Sequence, residues 1–196
     1  MSATNLLEFT PDELVSLVTS WDEPAYRGRQ VAVWIFAKGV REFEAMSNLP
    51  TPLRARLERE AVVGVPAVVS TLASRDGSRK LILRLDDGRV IHAVLMPDRD
   101  RLTLCVSTQV GCGFACAFCL TGTMGLVRNL TAGEIVGQVM AARQALGAGE
   151  RITHIVFMGM GEPLANYAAT VKALRILTSP QGFGFSPRRI TVSTVG

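Results

Sequence analysis

The sequence has 196 residues, of which 48% are hydrophobic, so it can bury a sizeable core in one large or two small domains. No segment approaches the ~20 consecutive apolar residues of a membrane-spanning helix, and the first residues lack the pattern of a signal peptide. The formal net charge of +4 permits a polyanionic partner without requiring one. These features predict a cytoplasmic protein with no membrane contact.

The first third of the chain has the pattern of a small helical module. Thr10 and Glu13 have the spacing of a capping box, which predicts a helix start. A second helix is predicted over residues 30–37, and a third begins at Thr51. We assign residues 1–65 to this module.

The hydrophobic period then changes from helical to alternating. Leu81 and Leu83 alternate with neighbours of mixed polarity, and Asp87-Gly88 has the composition of a hairpin turn. Residues 66–97 are therefore predicted to form a short antiparallel β meander that links the helical module to the rest of the chain.

Strands alternate with helices from residue 98 onwards, which is typical of an α/β protein with a parallel sheet or barrel. Strands are predicted over residues 104–110, 152–158 and 188–194, and helices over residues 131–146 and 168–177. Three such units cannot close a barrel, and the last strand would be an unpaired edge. We therefore expect residues 98–196 to be an incomplete barrel domain and the sequence to be a fragment of a longer protein.

All four cysteines lie within residues 105–119. Cysteines clustered in this way more often bind metal or take part in redox chemistry than form a disulfide framework. Cys112, Cys116 and Cys119 offer three thiolates in one loop after a predicted strand. Three ligands on a [4Fe–4S] cubane leave one iron free to bind S-adenosylmethionine (SAM) and pass it an electron.

The alternative interpretation of the cysteines is a structural zinc site. Zinc needs four ligands, usually in two closely spaced pairs, and only Cys116 and Cys119 have that spacing. Cys105, His92 or His154 would have to complete the site from unusual positions. The spacing favours the iron–sulfur interpretation.

A second pattern lies one strand–helix unit later, at residues 157–163 (Phe-Met-Gly-Met-Gly-Glu-Pro). Its glycines allow the backbone to approach a ligand closely. Such a turn alone is an ordinary connection, but here it follows a predicted barrel strand, at the end where barrel enzymes assemble their sites.

Five segments together carry a family resemblance: 26–34, 104–119, 127–131, 159–167 and 189–194. They resemble the RlmN/Cfr family of radical SAM RNA methyltransferases. The resemblance implies that residues 98–196 form the first half of a partial (β/α)6 TIM-like barrel. It also implies that residues 1–65 form an RNA-binding module.

The activity implied by the resemblance is methylation of C2 of an adenine in 23S rRNA, with tRNA as a candidate second substrate. One SAM methylates a cysteine near the C-terminus, and a second gives a 5′-deoxyadenosyl radical that abstracts hydrogen from that methyl group. The resulting carbon radical adds to the adenine, and another cysteine releases the adduct by forming a disulfide. A [4Fe–4S] cluster, SAM, an electron donor such as flavodoxin and a monomeric state are expected.

The resemblance also assigns residues to roles. It makes Cys112, Cys116 and Cys119 the cluster ligands. The SAM contacts that it implies are Gly161, Glu162 and Ser193. The methyl-carrying cysteine would lie beyond Gly196, so this chain alone is not expected to complete the reaction.

Two further positions have a predicted catalytic role. Cys105 matches the family's resolving cysteine, although a small buried strand residue is the alternative. His92 stands where the family usually has a glutamate assigned as proton acceptor, and an imidazole with a pKa of ~6.5 could serve in its place. The alternative for His92 is a strand histidine packed beside Val90 and Val94.

Two other functions remain open at this point. One is methylation at C8 of adenine, as in Cfr-type enzymes. The other is a non-catalytic RNA-binding protein with a structural metal, in which arginines of the helical module contact phosphates. Those arginines are Arg27, Arg29, Arg54, Arg56 and Arg59.

Overall fold

The computed structural model describes residues 3–196 and begins with a helical module. Its helices are α1 (Pro11–Thr19), α2 (Ala25–Ala32) and α3 (Thr51–Glu60). The predicted capping box is present, because the Thr10 hydroxyl accepts the Glu13 N–H at 3.2 Å and the Glu13 carboxylate accepts the Thr10 N–H at 2.7 Å. Helix α2 begins earlier than predicted and continues as a π-helical turn, Val33–Ala37.

Ten strands are formed by the described residues. Two short ones, β1 (Thr4–Asn5) and β2 (Ala61–Val62), pair in parallel and join the two ends of the helical module. The others are β3 (Ala67–Ala73), β4 (Arg79–Arg84), β5 (Val90–Asp98), β6 (Arg101–Cys105), β7 (Gln109–Gly111), β8 (Leu126–Asn129), β9 (His154–Phe157) and β10 (Ile190–Val192).

Six of these strands form one mixed sheet in the order β10-β9-β6-β5-β4-β3. Strands β6, β9 and β10 are parallel and are the three barrel strands, while β3, β4 and β5 pair antiparallel to their neighbours. The predicted meander is therefore continuous with the barrel sheet, because β5 pairs directly with β6 and places Val94 opposite Cys105. The α/β fold class is confirmed.

The two faces of the sheet have different environments. The outer face packs against α4 (Ala132–Gln144) and α5 (Tyr167–Thr178), and its side chains are buried. The members of this buried face include Leu81, Leu83, Ile91, Leu95, Leu104, Ile155 and Phe157. Full burial of each large apolar side chain contributes roughly 1.5–3 kcal/mol. The inner face, which carries His92, Cys105 and His154, is only partly buried.

The strand predicted over 104–110 is interrupted. Strand β6 ends at Cys105, and β7 leaves the sheet to pair antiparallel with β8. The break forms because the N–H groups of Thr108 and Gln109 donate to the carbonyl of Met160 at 2.8 and 3.1 Å. These bonds turn the chain toward the glycine-rich segment and bring the cysteine loop beside it. Among residues 3–196, no helix is long and apolar enough to cross a membrane.

Candidate active site

A cavity of about 520 Å³ lies at the C-terminal ends of β9 and β10, beside the cysteine loop. It brings together the residues expected to hold the cluster and SAM, namely Cys112, Cys116, Cys119, Gly161, Glu162 and Ser193. The wall also includes Phe157, Met158 and Pro163 of the predicted glycine-rich pattern, and Phe118 and Thr194 of the segments that carry the resemblance. Phe114, Thr121 and Val195, which had no predicted role, complete it.

The cysteine loop is closed at its base by the β7–β8 pair. The Cys112 N–H donates to the Gly125 carbonyl at 3.0 Å, and the Cys119 N–H donates to the Cys116 carbonyl at 2.9 Å. The pKa of the Cys119 thiol lies below its ordinary value, because the backbone N–H groups of Gly122 and Thr121 donate to its sulfur. Such N–H donors favour the thiolate that a metal cluster requires.

The donor set fits an iron–sulfur cluster. Within residues 3–196, no three His, Cys, Asp or Glu side chains converge closely enough to hold a single metal ion. The three loop cysteines are distributed along the wall of one cavity. Thiolates of a cubane bind different irons, whereas tetrahedral zinc holds four ligands about 2.0–2.3 Å from one ion. Three cysteines on the lining of one cavity, without a fourth cysteine or a histidine among its lining residues, therefore fit a [4Fe–4S] cluster with one iron free for SAM.

The glycine-rich turn forms one side of the cavity. Gly161 adopts a φ of +101°, and a Cβ at this position would lie 2.5 Å from the Gln109 Cβ. Both the backbone angle and the close approach exclude a side chain here. Gln109 connects the turn to the base of the cysteine loop, because its Oε1 accepts the Glu162 N–H at 2.9 Å and its Nε2 donates to Asn129 Oδ1 at 2.7 Å.

Glu162 is nearly buried, with 4% of its surface exposed. Burial alone would raise the pKa of its carboxyl, but hydrogen bonds donated by the N–H groups of Leu164 and Val195 and by the Thr194 hydroxyl outweigh that effect, so the pKa is lowered. The backbone donors lie 2.9 and 3.0 Å from the carboxylate oxygens. Each oxygen can accept more than one hydrogen bond, so a ligand amino group could still bind. The carboxylate thus holds the 193–195 segment against the turn.

Buried polar side chains support this wall. The Ser107 hydroxyl donates to the His92 carbonyl at 2.7 Å and accepts the Met160 N–H at 2.9 Å, and Gln138 Oε1 accepts the Ser107 N–H at 2.8 Å. Asn166 donates to the carbonyls of Thr108 and Leu130 at 2.8 and 2.7 Å. The sequence interpretation assigned no role to these side chains; the available signal was a polar residue inside an apolar strand or helix.

Cys105 lies on the inner face at the C-terminal end of β6, outside the cavity lining. Burial raises the pKa of its thiol, although the Met158 N–H opposes this effect by donating to the sulfur. Because Met158 lines the cavity, Cys105 sits immediately behind its wall. All four cysteines are free thiols, so the structure gives no support to the expected disulfide. The inner-face position of Cys105 separates it from the three loop cysteines.

His92 lies on the same inner face, two residues along β5 from Val94, which is opposite Cys105. His92 and Cys105 are therefore diagonal neighbours, a relation within reach of long and aromatic side chains. Burial lowers the pKa of the imidazole, and the positive charge of Lys80 lowers it further. Both effects favour the neutral ring, the form that can accept a proton. His92 does not line the cavity.

His154, named above as a candidate ligand of the alternative zinc site, lies on the inner face at the start of β9. Its Nδ1 is 2.9 Å from the Thr153 hydroxyl.

The arginines proposed as phosphate contacts are mostly engaged within the helical module. Arg27 donates to the Asn48 carbonyl at 2.7 Å, Arg54 donates to the Glu44 carbonyl at 2.8 Å, and Arg56 and Arg59 contact Glu60. Arg29 is exposed and, within residues 3–196, forms no ion pair. It lines a cavity of about 300 Å³ with aromatic and cationic neighbours that include Tyr26, Trp34 and Lys38.

Comparison with known proteins identifies two matching family models. Residues 4–63 match the ribosomal RNA large subunit methyltransferase N-terminal domain, and residues 106–196 match the radical SAM superfamily. A protein of Solidesulfovibrio magneticus named dual-specificity RNA methyltransferase RlmN is 50% identical over 196 residues, which cover 98% of this chain and 56% of the relative. The protein of that name from Rhodospirillum rubrum is 47% identical, with 98% and 46% covered.

A solved structure gives the same result in three dimensions. A radical SAM methyltransferase from Sphaerobacter thermophilus superposes with a TM-score of 0.91 at 46% identity, covering 98% of this chain and 57% of that one. The chain thus spans about half the length of the relatives that it matches. The radical SAM family implies a [4Fe–4S] cluster and SAM, which agrees with the donor set of the cavity. This chain belongs to the RlmN family of radical SAM proteins.

Proposed function

We propose that this chain binds a [4Fe–4S] cluster and SAM and takes part in methylating C2 of an adenine in ribosomal RNA and transfer RNA. The observation that carries the proposal is the single cavity shared by Cys112, Cys116, Cys119 and the turn at Gly161–Glu162. The relatives named as dual-specificity RNA methyltransferases support RNA methylation. The match of residues 4–63 to the ribosomal RNA large subunit methyltransferase N-terminal domain supports ribosomal RNA as a substrate.

Each part of the cavity has a distinct task. The three thiolates hold the cluster. The backbone at Gly161, the carboxylate of Glu162 and the segment at Ser193 receive SAM. Bound together, the cluster and SAM supply one-electron cleavage of a sulfonium bond and hence a carbon radical. The aromatic side chain of Phe114, on the cavity wall, limits the access of water to the cavity.

The inner face supplies the proton and thiol chemistry. The neutral imidazole of His92 accepts a proton from the adenine. The lowered pKa of His92, which favours the neutral ring, supports this role. Cys105 serves as the resolving thiol, a role supported by its position directly behind the cavity wall at Met158. A matching methyl-carrying cysteine would have to come from the remaining length seen in the relatives.

The helical module and the cysteine loop are the proposed partner surfaces. Arg29 with Tyr26 and Trp34 gives the module a cation beside aromatic rings, a combination typical of single-stranded RNA binding. Electrons come from a small redox protein such as flavodoxin, for which the exposed Phe118 and Leu120 provide apolar contact area near the cluster.

The chain acts in the cytoplasm. It is a monomer, and sedimentation velocity would test this oligomeric state.

Anaerobic reconstitution tests the cluster. We expect the chain incubated with iron and sulfide to bind about four irons and to show an electron paramagnetic resonance (EPR) signal that changes when SAM is added. The Cys116→Ser variant should lose the iron, while Cys105→Ser should keep it, because Cys105 lies outside the cavity lining. Retention of full iron by the Cys116 variant, or binding of one zinc by the wild-type chain, would refute the proposal.

A further inference from the structure

The inner face of the sheet carries two cations on strand β4. The strand places Lys80 and Arg84 on the inner face, because Lys80 is opposite Val94 and Arg84 is opposite Val90 in the register of β5. Arg79, on the same strand, points to the outer face, where it pairs with Glu150 at 2.8 Å. Within residues 3–196, neither Lys80 nor Arg84 forms an ion pair with an acidic side chain.

These cations flank the predicted catalytic residues. Lys80, Val94 and Cys105 form one row across three strands, and His92 lies in the next row toward Arg84. Neighbouring strands are about 4.8 Å apart, so the Lys80 backbone lies roughly 10 Å from that of Cys105. Lys80 is also close enough to His92 for its charge to affect the ring. A phosphate held by Lys80 or Arg84 would leave its base free to extend toward His92 and Cys105.

The charge of this face matches a polyanion. On the described strands of the sheet, the inner face carries one acidic side chain, Asp98, which lies at the far end opposite Arg101. The inner-face residues beside the cations include Ile82, Val90 and Val94, which are apolar and at least partly exposed. Within residues 3–196, the face therefore offers positive charge without an acidic side-chain partner, next to His92 and Cys105.

We propose that Lys80 and Arg84 bind the phosphodiester backbone of the RNA segment that enters the site. The inference rests on the proposed function in taking RNA as the substrate, and it adds a substrate-binding strip on the antiparallel extension of the barrel sheet. Lysine and arginine contacts to phosphates release counterions, so the affinity for RNA depends on salt in proportion to their number.

Fluorescence anisotropy with a fluorescein-labelled single-stranded RNA oligonucleotide tests the strip. Between about 50 and 200 mM salt, we expect the Lys80→Ala/Arg84→Ala chain to show a shallower salt dependence, with the slope reduced by ~0.7 for each lost phosphate contact. The charge-preserving variant Lys80→Arg/Arg84→Lys should keep the wild-type slope. Arg79→Ala should keep it as well, because Arg79 lies on the other face of the same strand.

Two results would overturn the inference. The first is a double-alanine variant, folded by circular dichroism, whose affinity and salt slope equal those of Arg79→Ala. The second is that the wild type sediments as a dimer and the double-alanine variant as a monomer, while both bind RNA equally. The face would then bind a second copy of the chain. The iron content and SAM response of the wild-type chain, measured without RNA, test the proposed function separately.

Discussion

Glu162 is the residue whose hydrogen bonds tie the last segment of the chain to the glycine-rich turn. Glutamine at this position replaces one acceptor oxygen by an amino group that cannot accept an N–H. We expect Glu162→Gln to lower the free energy of unfolding at pH 7 by about 1–3 kcal/mol, the usual cost of leaving a buried donor without its acceptor. Urea unfolding, with the exposed Glu58→Gln as control, measures this difference.

The same residue gives a pH dependence. The pKa of the Glu162 carboxyl is below its ordinary value of 4.5, so the carboxylate stabilises the fold above pH 4.5 and this contribution is lost as the pH falls through the lowered pKa. Wild type and Glu162→Gln should therefore become equally stable in acid. A difference that stays constant down to low pH would contradict this assignment.

His92 offers a second test at the residue scale. Its pKa is below the ordinary value of 6.5 because of burial and the nearby charge of Lys80. We expect Lys80→Met to raise the pKa of His92 part of the way toward 6.5, since only the burial contribution remains. An NMR titration of the ring protons, assigned with His92→Gln, measures the change. Arg79→Met, on the other face of β4, is the control and should leave the titration unchanged.

At the scale of elements, the turn between β9 and α5 depends on glycine for two reasons. Gly161 has a φ of +101°, and an added Cβ would also lie 2.5 Å from Gln109. Gly149 has a φ of +80° with open space around it. A substitution at Gly149 therefore measures the destabilisation caused by backbone strain without any steric clash. We expect Gly149→Ala to cost about 1 kcal/mol and Gly161→Ala ~1–3 kcal/mol more, because overpacking adds to the strain. Equal losses in thermal unfolding would show that the close approach has no effect.

At the scale of the whole molecule, Arg143 joins the helical module to the barrel part. Its guanidinium donates to the Phe36 carbonyl at 2.6 Å and lies 4.4 Å from the centroid of the Phe183 ring. Both tryptophans, Trp21 and Trp34, lie in the module, so their fluorescence reports its unfolding. Hydrogen exchange of the backbone amides in α4, measured at increasing urea concentrations, reports the unfolding of the barrel part. In the wild type we expect both unfolding transitions at the same urea concentration.

Removal of the arginine should separate the transitions. Arg143→Ala leaves the Phe36 carbonyl without its donor and removes the contact with Phe183, at a cost of about 2–4 kcal/mol. The tryptophan transition should then move to lower urea than the exchange transition. Arg175→Ala, an exposed arginine on α5, is the control. Coincident transitions in the Arg143 variant would mean that the module is held by other contacts.

Features encoded by neighbouring residues were readable from the sequence. The capping box at Thr10, the loop with Cys112, Cys116 and Cys119 and the glycine-rich turn are local patterns. The structure contains all three. The cysteine spacing, strengthened by a family resemblance, was sufficient to predict the kind of cofactor, because a loop of this length can present three thiolates without help from distant residues.

Features that depend on distant pairing were decided by the tertiary structure. The break between β6 and β7 comes from the Met160 carbonyl, which is more than fifty residues away from Thr108, and no local pattern predicts it. The engagement of Arg27 and Arg54 within the module, and the inner-face position of Lys80 next to His92, likewise follow from contacts and register. Sequence patterns specify which groups a segment offers, whereas hydrogen bonds between remote strands decide which of those groups stay free to act.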